Sequence, residues 1–141
     1  MIQRIQTLFL ILSALIATVL FITPLPPPCN ITLAQSLIHI KTAPNLWSKI
    51  AAVGNLILIA YNLVIIFIFR KRLLQISLCW VLAITSIFFA ALLYFALFSV
   101  EATFAQRWPV VLPLISSMLA LLSVFFIKRD EQLVRAADRI R

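Results

Sequence analysis

From Ile5 to Ile40 the chain carries no charged side chain, and three more uncharged runs follow at Ile50–Phe69, Leu73–Val100 and Val110–Ile127. Crossing roughly 30 Å of hydrocarbon takes about 20 apolar residues in a helix, within a range of ~17–25. Each run is long enough to contain one such crossing. The strongly apolar part of the first is Thr7–Thr23, closed by Pro24-Leu25-Pro26-Pro27-Pro28. Proline has no N–H to continue a helix, so the first span must stop there. The reading that follows is an all-α membrane protein, a four-transmembrane-helix bundle with spans at about 7–23, 50–69, 76–98 and 110–127. An outer loop, 24–49, separates the first two spans, and a tail, 128–141, follows the last.

Composition leaves little room for a water-soluble alternative. Apolar residues make up 64% of the chain and charged residues 11%, against about 45–50% and ~25% in soluble domains. Such a chain could not cover itself with polar groups in water. The solvent for most of these side chains is therefore lipid.

Cations give the direction. Arg4, Arg70, Lys71, Arg72, Lys128, Arg129, Arg135, Arg139 and Arg141 fall on one side of the spans, while Lys41, Lys49 and Arg107 fall on the other. Basic loops resist translocation, so the richer side stays in the cytoplasm and both termini are expected there. Trp47 and Trp108 then lie at the outer interface, where indoles settle. Trp80 sits deeper than a head-group anchor should. A cleaved signal sequence is the competing reading of Met1–Thr23, but Leu25–Cys29 offers no small-x-small cleavage site. The first span is expected to remain.

Function classes fall away in turn. One glycine in the whole chain leaves no phosphate-cradling loop. The net charge of +8 is gathered in short clusters between apolar runs, which suits anionic lipid head groups and not nucleic acid. Small four-span exporters that exchange protons need a carboxylate in the first helix, and Thr7–Thr23 has none. Cys29 and Cys79 are expected on opposite sides of the hydrocarbon, too far apart to pair. No C-x-x-C pair is present for thiol chemistry. His39 stands without carboxylate or thiol neighbours, so no metal site is expected. Glu101 with Arg107 reads as a solvated pair in an outer turn. Neither a catalytic group nor a cofactor is indicated, and the expectation is a non-enzyme.

Two sets of polar residues stand out. Asn55 and Asn62 are seven apart, hence on one helix face. Amides in lipid hydrogen-bond to neighbouring helices, with Ser13, Thr85, Ser86, Ser116 and Ser117 as candidate partners. They read as interhelical contacts, or as the lining of a polar path or lipid head-group pocket. The tail Lys128–Arg141 carries Glu131 one turn before Arg135, and Arg135 three before Asp138. Those are ion-pair spacings, so a short cytoplasmic amphipathic helix is expected, anchoring to lipid or docking a partner. In the outer loop, weak alternation at Ile31, Leu33, Leu37 and Ile40 fits a short strand pair or a cap over the bundle.

The opening Met1-Ile2-Gln3-Arg4-Ile5-Gln6-Thr7, the block Arg70-Lys71-Arg72-Leu73-Leu74-Gln75-Ile76, and the close Lys128-Arg129-Asp130-Glu131-Gln132-Leu133-Val134-Arg135-Ala136-Ala137-Asp138-Arg139-Ile140-Arg141 resemble an uncharacterised bacterial family. Its members are short four-span membrane proteins known only as a domain of unknown function. The resemblance implies a bacterial inner-membrane protein and carries over no catalytic residue. All three stretches face the cytoplasm in the expected topology. Gln3, Arg4, Arg72, Gln75, Asp130, Glu131, Arg135, Asp138 and Arg139 are therefore a candidate contact surface. It either locks the helix ends together or receives a partner. Expected partners are the bilayer, other membrane proteins or further copies of the chain. The functional expectation is a structural or accessory subunit, with a small oligomeric transporter or channel as the alternative.

Overall fold

The computed structural model describes residues 3–25, 32–38, 46–68, 72–98 and 104–138. All of its regular elements there are helical: α1 (Gln3–Ile22), α2 (Leu33–Ile38), α3 (Leu46–Phe67), α4 (Arg72–Phe98), a 3-10 turn (Phe104–Val110) and α5 (Val111–Asp138). The four long helices form a ring in which α1 packs on α3 and α5, and α4 packs on the same two.

Large apolar side chains cover the outside of the bundle, unlike a soluble one, while Leu10, Leu20, Ile65, Leu82, Leu93 and Ile127 also fill its core. Phe67 is 77% exposed and Phe88 71%, together with Leu8, Ile57, Ile84, Phe95 and Met118 on the outer surface. Ser13, Asn55, Asn62, Ser116, Ser117 and Ser123 are buried inside, among Ala14, Ala17, Ala51, Ala52, Ala83 and Ala120. In lipid there is no hydrophobic drive to hide leucine, so large apolar residues share the interface with small ones that let backbones approach and with polar groups that bond across. Gly54 is one such place: a Cβ there would stand 3.1 Å from Phe89 Cε2, tighter than ordinary van der Waals contact.

Among the described residues, three stretches are long and apolar enough to cross a membrane: Leu46–Phe67, Leu73–Leu97 and Arg107–Leu133. The described part of the first helix, Gln6–Ile22, is a shorter apolar helix.

Helix ends differ from the expected span ends for one reason. Hydropathy marks where lipid begins, whereas helix continues until something breaks it. α3 starts at Leu46 and α4 at Arg72, ahead of the expected 50 and 76. The tail, expected as an amphipathic helix, is helical as far as Asp138 and continues α5 without a break. No Gly or Pro lies between Ile127 and Asp138 to end the helix, and Glu, Gln, Leu, Arg and Ala all favour its continuation. Pro113 falls in the first turn of α5, where the missing N–H has no intrahelical use.

In the loop between α1 and α3, the strand pairing amounts to one isolated antiparallel bridge, Pro24 to Thr32, among the described residues. The main element is α2, which packs on α3 and α1 as a cap. Thr32 and Gln35 start it reciprocally: Gln35 N–H donates to Thr32 Oγ1 at 3.0 Å, and Thr32 N–H to Gln35 Oε1 at 3.1 Å. Ser36 Oγ donates to Leu33 O and lies 3.4 Å from Ser48 O, joining α2 to the first turn of α3. Leu25 and Leu33 are buried beneath this cap. Cys29, Ile31, His39 and Glu101 lie outside the described residues.

Candidate functional site: a polar seam inside the bundle

Asn62 and Asn55 lie on the inner face of α3, 1% and 0% exposed. Around Asn62 three helices are joined. Ser13 Oγ, on α1, donates to Asn62 Oδ1 at 3.0 Å and lies 2.6 Å from Ser116 Oγ on α5. A hydroxyl has one proton, and Ser13 gives its own to Asn62, so Ser116 is the donor in the second bond. Asn62 Nδ2 donates to Leu58 O within its own helix at 2.9 Å. Both ends of the Asn62 amide are satisfied.

Asn55 is not so complete. Its Nδ2 donates to the backbone carbonyl of Ala17 on α1 at 3.0 Å, while its Oδ1 is buried with no protein partner. The amide cannot be turned round to relieve this, because Ala17 O only accepts and must face the NH₂ group. Asn55 lines a cleft of about 240 Å³, open space included, that all four long helices wall: Ala17 from α1, Ser86 and Phe89 from α4, and Pro113 and Ser116 from α5.

Of the expected serine and threonine partners, Ser13 and Ser116 join the seam directly and Ser86 shares the cleft. Ser117 is buried nearby on α5. Thr85 is exposed, and its hydroxyl donates to Val81 O and Leu82 O of its own helix. Two further links went unread in the sequence. Tyr61 OH, on α3, donates to Leu78 O on α4 at 3.3 Å. Ser123 Oγ, on α5, lies 3.4 Å from the Sγ of buried Cys79 on α4.

At the end of the bundle that carries Lys128 and Arg129, a second polar group gathers. Gln6 is buried and its Nε2 donates to Phe126 O at 3.3 Å, next to the stacked rings of Phe9 and Phe126. Gln75 and Asp130 are buried, and Glu131 is half-buried. The side chains of Gln3, Arg4, Arg72, Arg135 and Asp138, and the whole of Arg139, lie outside the described residues. At the opposite end, Arg107 sits over the Tyr94 ring, 5.2 Å from its centroid, with Nη1 donating to Tyr94 OH at 3.3 Å. Trp47 and Trp108 are exposed at that same end, and Trp80 is exposed along the side of α4.

The seam offers amides, hydroxyls and one free acceptor, with no ionisable carboxylate or histidine among its described members. It holds α1, α3 and α5 together and leaves one acceptor open to a further hydrogen bond. No curated protein and no solved structure is detectably similar to the chain. The family model described as Domain of unknown function (DUF4293) matches residues 2–140, and the chain belongs to that family.

Proposed function

We propose that this chain is a four-pass protein of a bacterial inner membrane, with both termini in the cytoplasm, serving as a non-enzymatic structural or accessory subunit of a larger membrane assembly. The fourth crossing is α1: its 20 residues rise about 30 Å at 1.5 Å per residue, enough for the hydrocarbon. With the cation asymmetry of the loops, four crossings return the C-terminus to the cytoplasm.

The observation that favours a structural role over transport is where the polar groups are used. Ser13, Asn62 and Ser116 bond to one another inside a single chain. A transport path needs polar groups facing a route, and those are consumed in holding α1, α3 and α5 together. The burial of Asn55 and Asn62 also weighs against a polar axis shared between copies. What the chain presents outward is an apolar surface, suited to lipid and to the membrane helices of a partner.

Purification from native membranes in a mild detergent tests this reading. Co-elution with defined membrane proteins supports an accessory subunit. A symmetric homo-oligomer that conducts or exchanges a solute in vesicles overturns it in favour of a small transporter.

A further inference from the structure

We propose that the cleft beside Asn55 is a binding site for one water molecule, which closes the hydrogen-bond seam across the fourth helix. Asn55 is fully buried, and its Oδ1 is an acceptor with no protein partner. An unpaired buried amide oxygen is costly, and the orientation imposed by Ala17 O prevents the side chain from curing it alone. The room in the cleft for a water-sized guest is about 10 Å³, close to what a single molecule requires.

Polarity is matched as well as size. A buried water makes two to four hydrogen bonds, typically about three. Asn55 Oδ1 takes one of its protons. Ser116, whose own proton goes to Ser13, has lone pairs left to take the other. Ser86 on α4 lines the same cleft with a hydroxyl that can donate to the water oxygen. The site then gives α4 a place in a seam whose direct bonds join α1, α3 and α5. An apolar guest would leave Oδ1 unmet.

The test uses the full chain in lipid bilayers, labelled at asparagine and serine, with solid-state NMR transfer of magnetisation from water protons. The Asn62 amide is an internal reference, since both its ends bond to protein. The Asn55 side-chain carbonyl is expected to receive several-fold more transfer than that of Asn62. Ser86→Ala is expected to lower transfer to Asn55 while the Asn62 signals stay in place. Equal transfer to the two amides in the unaltered chain overturns the proposal, and so does an Asn55 signal indifferent to Ser86→Ala. If Ser86→Ala fails to fold, the comparison within the unaltered chain still decides.

Discussion

Ser13 and Asn62, on α1 and α3, are joined by a 3.0 Å hydrogen bond in which the serine hydroxyl donates to the amide oxygen. Such bonds between membrane helices average about 0.6 kcal/mol and reach roughly 1.7 kcal/mol. Ser13→Ala and Asn62→Leu are each expected to lower stability by about 1 kcal/mol. The double variant should lose less than the sum, since both remove the same bond. Reversible unfolding in mixed detergent micelles measures all three. Additive losses would show that the pair is not coupled.

Gly54 and Phe89 set how closely α3 approaches α4. Gly54→Ala brings a Cβ to 3.1 Å from the ring, which a slight ring shift can absorb, and alanine gains about 1 kcal/mol of helix propensity over glycine. A near-neutral effect is expected. Gly54→Val adds two further methyl groups beside that ring and should cost about 1–3 kcal/mol through overpacking. Thermal unfolding in detergent distinguishes the two, and a harmless valine would mean the helices are not in close contact.

The start of α2 rests on the reciprocal bonds of Thr32 and Gln35. Thr32→Ala should destabilise that turn by about 1 kcal/mol. The expected readout is faster amide exchange over residues 33–38, with α3 and α5 unchanged. Unaltered exchange would show that packing alone holds the cap.

At the other contact near that end, Tyr94→Phe keeps the ring beneath Arg107 and removes only the 3.3 Å bond to its hydroxyl. Tyr94→Leu removes the ring too. A cation over an aromatic face in an exposed place contributes about 0.5–1 kcal/mol, so the leucine variant should lose that much more than the phenylalanine one. Equal losses would assign the whole effect to the hydroxyl.

What could be read without the structure follows the physics of each feature. Long uncharged runs announce membrane helices because charge in hydrocarbon is costly over any fold. The seven-residue spacing of Asn55 and Asn62 put both amides on one face, and Ser13 and Ser116 were among their candidate partners. That Asn55 turns to the Ala17 carbonyl was not legible, because every residue has a backbone carbonyl and composition does not mark which one is near. The Arg107–Tyr94 pair was missed for a related reason: an aromatic face carries no formal charge to search for. The cap at α2 did leave a signal, since Thr32-Leu33-Ala34-Gln35 has the spacing of a capping box. Helix ends were legible only as lipid boundaries, which is why the tail merged with α5.

Labelling with a membrane-impermeant thiol reagent tests the proposed four-crossing topology most directly, using native Cys29 together with Gln3→Cys and Arg141→Cys variants in intact and in opened cells. The expected result is that Cys29 reacts in intact cells, whereas cysteines at either terminus react only once the cells are opened. A terminus that reacts in intact cells, or a Cys29 that reacts only after opening, would contradict a chain that crosses the membrane four times and keeps both ends inside.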